Sequence, residues 1–104
     1  MKSRRIDAIN TLIQLQMEQE KYRARNPEYA ADLSLLPVRK DGDVYLSVEG
    51  DYLIELLESS STRFGISAVA VTGGRQEKDI CQNYIIDENG PVIQGDVQRR
   101  CWNL

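Results

Sequence analysis

The spacing of apolar positions divides the chain into two unlike parts. From about Ser3 to Arg25 apolar residues recur at helical intervals among Ala, Leu, Gln, Glu, Lys, Arg and Met, with no Gly or Pro. Pro27 ends this stretch, because the residue before a proline is pushed out of the helical region. At about 100° per residue the apolar side chains fall into two rows. One is Ile6, Ile9, Ile13 and Met17; the other, nearly opposite, is Ala8, Leu12, Leu15 and Tyr22. Asp7, Thr11, Gln14, Glu18, Lys21 and Arg25 form a polar strip. An ordinary surface helix carries one apolar stripe. Two rows imply two partners: the sheet of the same chain, and either another layer of that chain or a neighbouring subunit.

Between Asn26 and Gly42 the chain reads as a loop, punctuated by Pro27, Pro37 and Asp41-Gly42. Tyr29, Leu33, Leu35 and Leu36 are its apolar anchors, with a short helical turn expected around Ala30 to Leu35. Beyond Gly42 the period changes to two. Val44, Leu46 and Val48 alternate with polar or aromatic neighbours, and Tyr52, Ile54 and Leu56 share one face of a second strand. Gly50-Asp51 is a turn between them. Phe64 to Val71 reads as a further strand, in which Gly65 and Ala68 predict close approach of a neighbour such as the helix. Cys81 to Ile86 is another, closed by the turn Asp87-Glu88-Asn89-Gly90, with Val92 and Ile93 pairing back. A long helix followed only by strands predicts an α+β fold with the helix packed on an antiparallel sheet. At 104 residues the chain supports one domain, 1–104.

Composition narrows the chemistry. There is no histidine, which removes Ser-His and Cys-His nucleophilic catalysis and the commonest metal ligand. Acid–base work by paired carboxylates stays open, since the sequence does not say which acids meet. The net charge of −3 gives no general pull toward nucleic acid or anionic lipid, so DNA is not an expected partner. Arg75, Lys78, Arg99 and Arg100 are the one local exception: joined cysteines would let them converge into a patch for an anionic ligand, against the plainer reading of a solvated rim. Cys81 and Cys101 are an even pair in a small domain, compatible with a disulfide or with two reduced thiols. Gly73-Gly74-Arg75 lacks the lysine and hydroxyl of a phosphate-binding loop and reads as a turn. Asp87, Glu88, Asn89 and Asp96 match no calcium loop, and Asp41-Gly42-Asp43 is weaker still, so neither a metal nor another cofactor is expected.

The C-terminal order Gln76, Asp79, Cys81, Asp87, Gly90 and the ending Cys101-Trp102 resembles the C-terminal region of type IV minor pilins. Upstream, Asp7-Ala8, Leu12, Glu20 and Tyr22, then Asn26, Tyr29 and Asp32-Leu33, resemble the helix and following loop of the same family. Tyr52 and Phe64-Gly65-Ile66-Ser67-Ala68 sit where such pilins place strands. The resemblance implies an N-terminal helix on a roughly four-stranded antiparallel sheet and a Cys81–Cys101 disulfide closing a C-terminal loop. It implies an assembly subunit, not an enzyme, packing onto major and minor pilins through helix residues such as Ile6, Ile9, Leu12, Ile13 and Met17. In this family the helix continues upstream as an apolar membrane segment behind a basic leader. Neither is present in these residues, so both are expected to have been removed. The full-length form is expected in the inner membrane facing the periplasm, and then in the extracellular pilus. The alternatives are a pseudopilin of a type II secretion system, distinguished by calcium binding, and a DNA-receptor or adhesive minor pilin.

Overall fold

The computed structural model describes residues 5–74 and 76–102. The first helix, α1, spans Arg5–Arg25. Its end is built as the sequence predicts: Arg23 and Arg25 lie in the last turn, where cations oppose the helix dipole. The Asn26 side-chain amide donates to the Tyr22 carbonyl at 2.8 Å, satisfying one of the acceptors a helix end leaves open. A 3-10 turn follows at Leu33–Leu35, capped by the Asp32 carboxylate, which accepts from the Ser34 N–H at 2.8 Å. Leu33 and Leu36 are buried, but Leu35, expected as an anchor, faces solvent.

Among the described residues the sheet has six strands, not about four: β1 (Arg39–Asp41), β2 (Val44–Leu46), β3 (Tyr52–Ser59), β4 (Phe64–Ala70), β5 (Asn83–Asp87) and β6 (Gly90–Pro91), in the spatial order of the sequence. Every pairing is antiparallel. The additional strands come from a hairpin and a stub. Asp41-Gly42, read as a loop, is the start of a tight turn joining β1 to β2, with Asp41 opposite Val44. Gly42 holds φ at +62°, which a glycine adopts without a side-chain penalty. All three residues of β1 are exposed, so this edge strand carries no apolar period. β6 is two residues long and completes the Asp87–Gly90 hairpin.

A bulge at Leu57 interrupts the β3–β4 register between Leu56 and Glu58. Gly65 packs there: a Cβ on it would lie 3.6 Å from Leu57 Cβ and Glu58 Cγ, so its close neighbour is β3 rather than α1. The tail is also more ordered than a loop. Gly95–Cys101 forms a second helix, α2, and closes the C-terminus.

The core lies between α1 and one face of the sheet. Ala8, Leu12 and Leu15 are at most 1% exposed and belong to one cluster with Tyr52, Ile54, Phe64, Ile66, Ala68, Tyr84 and Ile86. Trp102 completes the cluster at one end. Its ring meets Tyr84 edge-to-face at 5.4 Å, and Tyr84 meets Tyr52 likewise at 5.7 Å. Two members of the polar strip of α1 are in fact buried, because they bind backbone. Asp7 accepts from the Ser47 hydroxyl at 2.5 Å and from the Glu49 N–H at 3.0 Å, while Thr11 accepts from the Val48 N–H at 3.3 Å. Together they pin the β2–β3 turn to the helix. Gln19, fully buried, exchanges two hydrogen bonds with the backbone of Ala30 and fastens the loop after α1 in the same way.

Candidate functional site

The two rows on α1 have opposite fates. Ala8, Leu12 and Leu15 enter the core, and Tyr22 packs partly against it. In the other row Ile6 is 52% exposed, Ile13 41% and Met17 56%, while Ile9 is half-buried at its margin. The structure thus leaves an apolar ridge of Ile6, Ile9, Ile13 and Met17 on the side of α1 turned away from the sheet. Leu12, expected among the packing residues, is fully buried and serves the core instead. It lies on the sheet side because the helix turns about 100° between Leu12 and Ile13. Contiguous exposed apolar surface rimmed by polar groups is what an interface looks like before its partner arrives.

The second feature is the C-terminal end. Cys81 and Cys101 form a disulfide with their Cα atoms 5.7 Å apart, both sulfurs buried, as the family resemblance implies. The bridge brings the segment after β4 against α2. Lys78, three residues before Cys81, and Arg99 and Arg100, immediately before Cys101, are all exposed. Arg75 lies outside the described residues. The anchor of this end was not legible in the sequence. Arg5, at the start of α1, donates to both carboxylate oxygens of Asp79, from Nε at 2.7 Å and from Nη2 at 2.6 Å. This bidentate pair spans 74 positions and is nearly buried, its side chains 17% and 3% exposed. The Arg5 hydrogen bonds hold the Asp79 carboxyl below the usual carboxylate range, and in turn Asp79 raises the Arg5 guanidinium. Gln76 adds a third contact, donating to Asp79 Oδ2 at 3.2 Å and to the Tyr52 hydroxyl at 3.1 Å. Burial pushes the hydroxyls of Tyr52 and Tyr84 upward, so both stay neutral.

The acids considered for calcium have structural duties. Asp87 Oδ1 accepts from the Asn89 N–H at 2.8 Å, and Glu88 Oε1 accepts from the Phe64 N–H at 3.2 Å. Asp96 lies apart from them in the first turn of α2. Among the described residues no three His, Cys, Asp or Glu side chains are grouped to hold a metal ion. Gly73-Gly74 forms the turn read from the sequence: Gly73 has φ of +77° and the Gly74 N–H donates to the Val71 carbonyl at 2.9 Å. Among the described residues no helix is long and apolar enough to cross a membrane.

No curated protein sequence matches the chain significantly. A family model described as "Type IV minor pilin ComP, DNA uptake sequence receptor" matches residues 1–85, from α1 into β5. The match stops short of β6 and α2, so Arg99, Arg100 and Cys101 lie beyond it. It spans most of the chain, and the helix-on-sheet fold with its C-terminal disulfide accords with it. This protein belongs to the type IV minor pilin family, a class of pilus subunits associated with the cell envelope.

Proposed function

We propose that this minor pilin is a non-enzymatic assembly subunit that docks on neighbouring pilins through the outward row of α1, Ile6, Ile9, Ile13 and Met17. One observation carries the reading: the row is apolar and exposed while the opposite face of the same helix is closed by the core. A helix buried by its own sheet on one side has no internal reason to place three large apolar side chains in water on the other. The partners are other major and minor pilins. The membrane stage, with the domain facing the periplasm before incorporation, belongs to the same proposal.

The test is Ile13→Asp in the full-length protein. A charge placed in an apolar interface is costly, whereas in water it is not. The isolated domain should keep its melting temperature, and the amount of subunit recovered in sheared filaments should fall. Normal incorporation of a folded Ile13→Asp protein would refute this docking face.

A second reading is favoured by the family description together with the exposed Lys78, Arg99 and Arg100: binding of duplex DNA by the C-terminal end. The net charge of −3 speaks against general affinity for DNA, but it does not bear on a local patch. Binding of this kind falls steeply with salt. It should weaken when Arg99 and Arg100 are both changed to Ala, as followed by fluorescence anisotropy of a labelled duplex. Binding indifferent to salt and to these substitutions would remove this reading and leave the first one standing.

A further inference from the structure

Gln76 to Cys81 belongs to no strand, yet it turns Gln76, Asp79 and Cys81 inward and Lys78 and Ile80 outward. Gln76 is fully buried, Asp79 is 4% exposed and Cys81 1%, whereas Lys78 faces solvent and Ile80 is 72% exposed, more than any other large apolar side chain among the described residues. The inward residues are fixed from separate directions. Gln76 is held by the Tyr52 hydroxyl of β3, Asp79 by both guanidinium nitrogens of Arg5, and Cys81 by its bond to Cys101. The Asp79 carboxylate also accepts the backbone N–H groups of Ile80 and Cys81. Ile80 is therefore presented on a clamped backbone. Being β-branched, it loses little rotamer freedom when a partner covers it. Across the disulfide stands α2, with Val97 46% exposed and Arg99 and Arg100 in solvent.

Charge identifies the partner that suits this tip. Lys78 lies two residues before Ile80, and Arg99 and Arg100 precede Cys101 on the other side of the disulfide. Among the nearby acids Asp79 is charge-paired with Arg5, while Glu77, whose Oε2 accepts from the Gly73 N–H at 2.9 Å, and the exposed Asp96 oppose these three cations in part. Cations of this kind settle on phosphates, and an apolar side chain set between them reaches the base steps. We propose that Ile80 is an apolar wedge that enters between adjacent base pairs of duplex DNA while Lys78, Arg99 and Arg100 hold the phosphates on either side. The proposal rests on the DNA-binding reading above. It assigns to one uncharged residue the deformation of the duplex, and to its charged neighbours the salt-dependent attraction.

Short duplexes labelled at both ends report affinity by anisotropy and bending by energy transfer between the ends. The chain would be compared with Ile80→Ala, Ile80→Phe and Lys78→Ala across a salt series. Ile80 and Lys78 are exposed, so all variants should melt with the original chain. Ile80→Ala should lose about tenfold in affinity, from the apolar area no longer covered. Its salt slope should be unchanged and the bend lost, with Ile80→Phe retaining the bend. Lys78→Ala should keep the bend and reduce the salt slope by about one. If the unaltered chain binds no duplex at any salt, the DNA reading itself falls, and the wedge with it. If the chain binds but Ile80→Ala binds and bends DNA equally well, the wedge is overturned while the DNA reading stands. Phosphatidylglycerol vesicles captured through Ile80, with no binding to duplex, would make the tip a membrane contact and also overturn the proposal.

Discussion

α1 is held on the sheet by apolar burial, with Ala8, Leu12 and Leu15 against Tyr52, Ile66, Tyr84 and their neighbours, whereas the segment after β4 is held by a disulfide, an ion pair and a glutamine. The two regions solve different problems. The helix offers a face wide enough to remove apolar surface from water, and that alone orients it. The segment from Val71 to Gln82 has little apolar surface to hide: its one large apolar side chain beyond Val71 is Ile80, which points outward. Each of its fixed points is therefore a specific polar or covalent bond. Burial of one helix face leaves the other free for neighbours. Specific staples leave a tip whose intervening side chains, Lys78 and Ile80, are free of structural duty.

The difference is tested first where the expected effect is largest, on the adjacent pair Leu12 and Ile13. Leu12→Asp should unfold the isolated domain, and Leu12→Ala should cost about 2–5 kcal/mol. Ile13→Asp and Ile13→Ala should each change stability by less than about 0.5 kcal/mol. Urea or thermal melts of the four variants decide it. Unfolding by Ile13→Asp would mean that the outward row already has a partner within the domain, and the contrast between the two faces would collapse.

The C-terminal staples come next. The disulfide closes a loop of 20 positions, for which loop entropy gives about 3 kcal/mol. The Cys81→Ser, Cys101→Ser variant should lose about that much. Protein from the oxidising compartment should take up no alkylating agent until reduced, as read by intact mass. Free thiols there, or an unchanged melt in the double serine variant, would show that the core alone orders this end.

How far the molecule could be read from its sequence follows the same division. The helix, its end at Pro27, its two rows and the alternating faces of β3 were legible, because burial imprints a period on the residues that undergo it. β1 was not: Arg39, Lys40 and Asp41 lie on an exposed edge, where nothing distinguishes a paired residue from a loop residue. α2 was not either, since seven residues opened by a glycine at φ +89° carry too short a pattern. Tertiary polar contacts leave no trace in spacing. Asp7 and Thr11 read as a solvated strip although they bind the β2–β3 turn, and nothing in the chain announced that Arg5 would meet Asp79. The disulfide was legible only through resemblance to pilins; two cysteines alone left the question open. Of the candidate packing residues, Ile6, Ile13 and Met17 are exposed and Leu12 is drawn into the core, and Ile80 escaped notice because a lone apolar residue in a polar loop has no period.

The ion pair gives a smaller effect with a signature in pH. Arg5 holds the folded-state carboxyl of Asp79 below its ordinary value, so its contribution is fully present above the unfolded pKa of about 3.9 and is lost as pH falls through the lower folded value. Asp79→Asn should therefore cost about 2 kcal/mol at neutral pH, with Arg5 left short of a partner. It should also flatten the decline in stability below about pH 4. Arg5→Lys should recover only part of the loss, because an ammonium cannot match both carboxylate oxygens as a guanidinium does. Melting temperatures from pH 7 downward provide the check. An acid profile identical in the parent and Asp79→Asn chains would mean that the pair is ornamental and that the disulfide by itself holds the tip.

The smallest expected effect concerns calcium, and it separates a polar staple from a metal site. A ligand bound to the folded state alone raises the melting point by mass action, with the shift growing as its concentration passes the dissociation constant. At the β5–β6 turn, Asp87 and Glu88 already accept hydrogen bonds from the Asn89 and Phe64 N–H groups. An ion taking these oxygens would compete with two backbone N–H donors, of which the Phe64 N–H is partly buried and costs free energy to leave unpaired. Asp96, the further acid, is carried by α2 and follows a different part of the chain. Melts in chelator and in excess calcium should therefore coincide. A rise of several degrees with calcium would show that the turn rearranges around an ion. The C-terminal half would then be stapled by a metal as well as by sulfur, and the pseudopilin alternative would gain the property that distinguishes it.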